Sequence, residues 1–215
     1  MNPIFNDSET EREFQRKGYV VQPFLGAREI QELSDVYQSL TTEQPPDYYV
    51  TAFSQSYDYR RKVHEGVKAV IKEKLKTVVP HYNICLSQFV GKTARSQRGK
   101  VWLHQDWSFV DNTVHPAVHF WIPLVDVDTH NGCLKVVMGS HTFFEHIRAT
   151  PTNPAPFDPL KDLLDAEFTT SIPMRAGSIL FYDGRLLHGS EENLSIHSRI
   201  AAQGILVTEG AVISG

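Results

Sequence analysis

The residues whose types and spacing carry the most chemistry are His104 and Asp106, in Trp102-Leu103-His104-Gln105-Asp106-Trp107, and His188, in Leu187-His188-Gly189-Ser190. Successive side chains alternate faces on a β-strand, so a histidine and an aspartate two apart project the same way and can share one ion. Two neutral imidazoles and one carboxylate form a facial triad that suits non-haem Fe(II) and leaves octahedral positions open. A His-x-Asp pair is also a common structural hydrogen-bonded pair. The pair alone therefore does not decide for a metal, and the rest of the chain has to be asked what it builds around these residues.

The frame is a chain of 215 residues, 41% apolar and 21% charged, without a long apolar run. This is enough for one globular domain over residues 1–215 with a substantial core. The start, Met1-Asn2-Pro3-Ile4-Phe5, has neither the basic region nor the apolar stretch of a signal peptide, so a cytoplasmic location is the expectation. No stretch is long enough to span a membrane. A net charge of -4 speaks against a general nucleic-acid binder. Cys85 and Cys133 fall in apolar segments and read as buried free thiols.

Residues 1–80 read as a mainly helical layer and 81–210 as a β core. Ser8-Glu9-Thr10-Glu11 fits a capping box for a helix that ends near Gly18, and a short strand comes next at 19–21. Ile30, Leu33, Tyr37 and Leu40 share one face of a helix over 27–40. Val63, Val67, Val70, Ile71, Leu75 and Val78 do the same over 58–79, with Pro80 at its end. From residue 82 the texture changes to short strands between turn residues, expected at 82–90, 100–107, 117–124, 133–138, 167–173, 178–182, 185–189 and 198–207. Eight such strands fit a double-sheet jelly roll with the helices on the outer face of one sheet.

In Ala117-Val118-His119-Phe120-Trp121-Ile122-Pro123-Leu124, the residues Val118, Phe120, Ile122 and Leu124 form one apolar face suited to packing under the helices. His119 and Trp121 share the other face, which is expected to line a pocket. Trp121 also fits a plain half-buried core aromatic. Asn131-Gly132 supplies a tight turn into the strand at Cys133. The proline-rich connection from Met138 to about Glu167 has the length of an active-site lid or binding loop, or of a surface excursion.

Taken in order, His104-Gln105-Asp106, Asn131-Gly132-Cys133-Leu134, Gly139-Ser140-His141, Ala176-Gly177-Ser178 and His188-Gly189-Ser190 followed by Arg199 resemble the phytanoyl-CoA dioxygenase family. The resemblance spans roughly residues 82–207. It implies a double-stranded β-helix and an Fe(II)- and 2-oxoglutarate-dependent dioxygenase that uses O2. His104, Asp106 and His188 match the iron ligands, and Arg199 with Ser190 matches the pair that holds the distal carboxylate of 2-oxoglutarate. Trp121 matches an aromatic against that cosubstrate, and Gln88 falls at a further cosubstrate-facing position if two residues are dropped from the intervening loop. A cosubstrate-binding lysine that some members carry upstream is not locatable from the sequence. Because Asp106 stands where halogenating relatives have a small residue, the resemblance implies hydroxylation of a C–H bond rather than halogenation, with succinate and CO2 as coproducts.

Arginine suits such a role because its planar fork is permanently charged and binds carboxylate bidentately. Arg199 could equally pair with Glu191 or Glu192 on the surface, and Ser190 could be a turn residue. His119 and Trp107 are candidate substrate contacts, whereas Trp107 also fits the core or the rim. His115 sits in a loop, and His141, His146 and His197 read as surface or cap residues. The four positive charges of Gly91-Lys92-Thr93-Ala94-Arg95-Ser96-Gln97-Arg98-Gly99-Lys100 could receive the anionic tail of a thioester-linked substrate, or form a solvated hairpin. The expected partner is a small-molecule substrate, free or carrier-linked. A cupin-like metalloprotein remains an alternative, although its usual first motif is His-x-His. A non-catalytic jelly-roll binding module is another, since fold alone does not fix function.

Overall fold

Apolar periodicity sorts the chain into a helical layer and two antiparallel sheets, and the space between those sheets holds the site. The computed structural model describes residues 3–41, 47–108, 110–111, 117–143, 148 and 155–211. Its helices are α1 (Ser8–Lys17), α2 (Ala27–Leu40), α3 (Tyr57–Val78) and a short α4 (Lys161–Glu167). The strands are β1 (Tyr19–Pro23), β2 (Tyr48–Val50), β3 (Tyr82–Lys92), β4 (Val101–His104) and β5 (Val118–Pro123). They continue with β6 (Leu134–Val137), β7 (Thr169–Ser171), β8 (Ser178–Asp183), β9 (His188–Ser190) and β10 (Arg199–Thr208). One sheet has the order β1-β8-β5-β10-β3-β2 and the other β4-β9-β6-β7. This is the double-sheet jelly roll expected from the strand spacing, and the double-stranded β-helix that the resemblance implies.

The helix ends obey local chemistry. Asp7, one residue before the expected Ser8, caps α1 by accepting the Thr10 N–H at 2.7 Å. The expected reciprocal bond is also redirected, because the Glu11 carboxylate accepts the N–H groups of Ile4 and Phe5 at 2.8 and 3.0 Å. Gly18 closes the helix in the left-handed region, with φ of 82°, as its position predicts. Ser56 caps α3 through the Tyr59 N–H.

The outer face of the large sheet is sealed by α2 and α3. Leu33 from α2 and Val63, Val67, Ile71 and Leu75 from α3 are buried in one cluster with Val118, Phe120, Ile122 and Leu124. The alternating residues of the same strands turn inward. Trp121 from β5, Leu180 and Tyr182 from β8 and Ala201 from β10 meet Leu134 and Val136 of the small sheet in a second cluster. The period of two therefore separates a purely apolar layer under the helices from an inner layer that can carry polar groups.

Several expectations are corrected. The strand expected over 100–107 stops at His104, and the one expected over 185–189 is β9, which begins at His188. β2 pairs with β3 where only a loop was read, and α4 precedes β7 inside the long connection. The basic stretch 91–100 does not present four free charges. Lys92 lies inside β3 and is buried, and Lys100 pairs with Asp165 and Glu191, which leaves Arg95 and Arg98 exposed. His141 is buried, with Nε2 at 3.2 Å from the Gln15 carbonyl, because it fills the space beside Gly18. His197 is exposed as expected, while His115, His146 and Pro45-Pro46 lie outside the described residues. Cys133 is buried, Cys85 is half-buried, and both are free thiols. Among the described residues, no helix is long and apolar enough to cross a membrane.

Phe120 is fully buried between α3 and the large sheet, so Phe120→Ala should cost about 3–5 kcal/mol. Urea unfolding should show a lower midpoint at an unchanged slope. A loss under about 1 kcal/mol would mean that the layer beneath the helices is not the main core.

Candidate metal centre and cosubstrate cavity

β4 and β9 bring the two histidines together, since His104 and His188 are direct cross-strand partners. Gly189 makes this possible: a Cβ there would lie 2.6 Å from the Val101 carbonyl oxygen, so only glycine lets the two strands approach this closely. The imidazole centroids are 4.3 Å apart. His104 Nδ1 lies 2.8 Å from the Trp102 carbonyl, and His188 Nδ1 lies 2.9 Å from the Leu186 carbonyl. A carbonyl can only accept, so each Nδ1 carries the proton and each Nε2 presents a lone pair to the site. Burial and the neighbouring His104 push His188 down to about 4, which keeps it neutral at neutral pH.

Asp106 is positioned differently from the sequence reading. It lies just past the end of β4, where its N–H donates to the Gly184 carbonyl at 3.0 Å, so strand parity alone does not aim it. Its Oδ2 accepts from the Tyr182 hydroxyl at 2.9 Å and lies 2.8 Å from His119 Nδ1. Gln203 Nε2 donates to that Tyr182 hydroxyl at 3.1 Å. Oδ1 lies 3.8 Å from His104 Nε2, and Oδ2 lies 3.7 Å from His188 Nε2. Burial opposes the Asp106 charge, but His119 and His188, the His119 hydrogen bond and His104 together hold the carboxyl ionised far below its usual range. His104, Asp106 and His188 each offer one ligand atom, and these atoms lie within 4.8 Å of one another. Two lone-pair nitrogens and a carboxylate converging at this spacing fit a divalent cation.

The centre opens into a cavity of about 490 Å3. Gln88, Trp107, His119, Trp121, Ser190 and Arg199 all line it, so the sequence-derived candidates do meet there. Trp107 is 47% exposed and stands with Phe53 at the rim, not in the core. His119, expected to face a substrate, is turned to Asp106 instead. Gln88 pairs across β3 and β10 with Gln203, and both line the cavity.

Arg199 opens β10, the next strand in the chain after β9, which lies in the opposite sheet. It is 2% exposed, stacks over Trp121 with 5.4 Å from its guanidinium carbon to the ring centroid, and donates through NH2 to the Gly132 carbonyl at 3.1 Å. Gly132 supplies the expected turn, with φ of 77°. The surface pairing of Arg199 with Glu191 or Glu192 does not occur. Its Nε is buried without a protein acceptor, a group that a ligand oxygen would satisfy. Burial pulls Arg199 down to about 10, so it stays charged at neutral pH. The described part of the long connection, expected as a lid, does not line the cavity. It reaches the centre only through Arg148 Nε, which donates to the Asp106 carbonyl at 2.7 Å. Tyr182, Gln203 and Tyr48 went unnoticed in the sequence, since their partners lie on distant strands, and Lys92 was read only as one charge of the basic stretch 91–100. Tyr182 could have been found from its parity with Leu180 on the inner face of β8.

A family model for phytanoyl-CoA dioxygenase matches residues 14–201. The chain belongs to the phytanoyl-CoA dioxygenase family. A curated phytanoyl-CoA dioxygenase of Arabidopsis thaliana is 39% identical over 106 residues, 48% of this chain and 37% of that protein. A phytanoyl-CoA dioxygenase domain-containing protein 1 homolog of Dictyostelium discoideum is 27% identical over 155 residues, 68% of this chain and 52% of its own length. The matches thus take in about half or less of these family members. Among solved structures, the α-ketoglutarate-dependent carbocyclase SnoK from nogalamycin biosynthesis superposes with a TM-score of 0.67 at 19% identity, over 96% of this chain and 86% of that one. HygX from Streptomyces hygroscopicus, with nickel, 2-oxoglutarate and hygromycin B bound, gives 0.66 at 18% identity over 95% and 88%. EctD from S. alaskensis, with 2-oxoglutarate and 5-hydroxyectoine, gives 0.66 at 18% identity over 100% and 83%. At these identities the structures establish that the chain shares the double-stranded β-helix of those proteins.

Tyr182→Phe removes the hydroxyl that fixes Asp106 while keeping the ring. Loss of such an orienting partner typically lowers metal affinity about 10- to 100-fold. Calorimetric Co(II) titration should show that drop with little change in melting temperature. Unchanged affinity would mean that the carboxylate is oriented without Tyr182.

Proposed function

We propose that this chain is a non-haem Fe(II)- and 2-oxoglutarate-dependent dioxygenase that hydroxylates an unactivated C–H bond of a small-molecule or carrier-linked substrate. The observation that carries the reading is the pairing of two features in one cavity. One is a His104-Asp106-His188 set with its ligand atoms within 4.8 Å, and the other is a buried guanidinium with an unpartnered Nε. A plain metal-binding jelly roll has no need of the second feature.

In this reading His104, Asp106 and His188 hold Fe(II) on one face. Arg199 and Ser190 take the distal carboxylate of 2-oxoglutarate, Trp121 packs against its chain, and Gln88 contributes a polar contact. Fe(II) with 2-oxoglutarate supplies O2 activation, coupled to decarboxylation to succinate and CO2. The protein supplies geometry and dryness. The paired Nδ1 bonds fix both imidazoles as lone-pair donors, while Tyr182 and His119 hold Asp106 ionised and oriented. Asp106 stands where halogenating relatives have a small residue and would take the position that a halide needs on the bound metal, which favours hydroxylation. Val50, Phe53, Leu86, Val101 and Ile205 add apolar lining to the same cavity, which suits a substrate with apolar parts.

Asp106→Ala should abolish Fe(II)-dependent succinate formation while leaving the melting transition in place, since Asp106 has no part in the apolar layer under the helices. Arg199→Ala should weaken 2-oxoglutarate binding by roughly 2–5 kcal/mol, the cost of stranding a buried carboxylate. That is about 30-fold or more in Kd. Direct calorimetric titration of 2-oxoglutarate and of metal into each variant separates the two roles. Normal succinate formation by Asp106→Ala, or unchanged 2-oxoglutarate affinity in Arg199→Ala, would overturn the assignment concerned.

A further inference from the structure

Asp106 stands outside the β4 ladder, so strand pairing does not fix its backbone, and both of its main-chain polar groups are held by distant segments. Its N–H goes to the Gly184 carbonyl, between β8 and β9, at 3.0 Å. Its carbonyl accepts from Arg148 Nε at 2.7 Å, 42 residues further along the chain. Two more bonds join the same pieces: the Ser108 N–H donates to the Arg148 carbonyl at 2.9 Å, and the Arg148 N–H donates to Ser108 Oγ at 3.1 Å. The connection between β6 and β7 is thereby tied to the short segment that begins with a metal-site residue.

We propose that Arg148 is a positioning residue of the metal centre: by pinning the Asp106 carbonyl it fixes the direction from which the carboxylate reaches the metal, and it makes docking of the β6–β7 connection and metal binding favour each other. The inference rests on the reading of His104, Asp106 and His188 as metal ligands. Arg148 is 8% exposed, and an arginine is seldom buried without a partner that compensates it. The carboxylate whose charge acts most on it, Asp183, is already held by Arg185 through Nε and NH2 at 2.9 and 2.7 Å. The short bond from the guanidinium to the Asp106 carbonyl is charge-assisted, which is the stronger kind.

Asp106 is thus held at both ends. Tyr182 and His119 fix its carboxylate, while Gly184 and Arg148 fix its backbone, so little freedom is left in the side chain between them. The charge and the hydrogen bond of Arg148 act on a metal in opposite senses. A cation near a divalent ion lowers affinity by repulsion, whereas a fixed ligand raises it because less order is lost on binding. The proposal requires the second effect to win. It also has a reciprocal consequence: if the docked Arg148 raises metal affinity by some factor, metal stabilises the docked state by the same factor.

The test is calorimetric titration of Co(II) into the full chain, comparing wild type with Arg148→Met, which keeps an unbranched buried stem and removes the donor. Arg148→Met should bind Co(II) about 10- to 100-fold more weakly, the usual effect of losing a partner that orients a ligand. The reciprocal readout is amide hydrogen exchange followed by NMR. Zn(II) should slow exchange of the Ser108 and Arg148 amides in wild type, because both bonds form only when Arg148 is docked, and should not do so in Asp106→Ala. If Arg148→Met does not fold, the exchange measurement decides alone. Unchanged or tighter Co(II) binding by Arg148→Met, exchange in wild type indifferent to Zn(II), or equal slowing in Asp106→Ala would overturn the role of Arg148. A wild-type chain that binds no Co(II), or wild-type affinity in Asp106→Ala, would instead overturn the metal-ligand reading beneath it.

Discussion

The cross-strand pairing of His104 with His188 is the constraint on which the rest of the site depends. It needs Gly189, because any Cβ at that position meets the backbone of β4. With the strands in contact, two Nε2 lone pairs and the Asp106 carboxylate point into a volume too small for three separately solvated groups. Polar groups crowded in this way are costly unless a cation joins them. The bonds around them are consistent with that outcome: both Nδ1 protons are tied to carbonyls, and Tyr182 and His119 brace Asp106 from behind.

The same dryness that makes the metal centre costly when empty gives the opposite end of the cavity its strength. A guanidinium held between the sheets acts at low effective dielectric, where its field is far stronger than at a surface. The large sheet can carry it because its two faces have separate duties. The outer face, with Phe120 and Ile122, packs under α2 and α3 and supplies stability. The inner face, with His119, Trp121, Tyr182 and Arg199, is free to be polar where the chemistry requires it.

Much of this was legible in the sequence wherever the signal was local. The alternation in Val118–Leu124 correctly separated the helix-facing from the cavity-facing residues, and the apolar stripes of α2 and α3 placed the outer layer. The family motifs brought His104, Asp106, His188, Ser190 and Arg199 to one cavity. The failures came from contacts between residues far apart in the chain. Tyr182 meets Asp106 from 76 residues away, and Lys92 meets Ser190 from 98. No periodicity reports such pairs. Lys92 was misleading because its neighbours are basic and polar, so it read as part of a solvated hairpin although it belongs to β3. Asp106 was aimed correctly for an incomplete reason, since the strand ends at His104 and the Asp106 N–H is held by the Gly184 carbonyl on the far side of the site.

The most direct test of the central claim is an anaerobic absorption spectrum of the Fe(II)-loaded chain on titration with 2-oxoglutarate. An iron held by two imidazoles and one carboxylate has adjacent positions free for the keto oxygen and C1 carboxylate. Chelation there should produce a weak visible metal-to-ligand charge-transfer band that saturates at one 2-oxoglutarate per chain. A chain that binds Fe(II) but develops no such band would contradict an open three-ligand centre, and with it the account of what this cavity is built to hold.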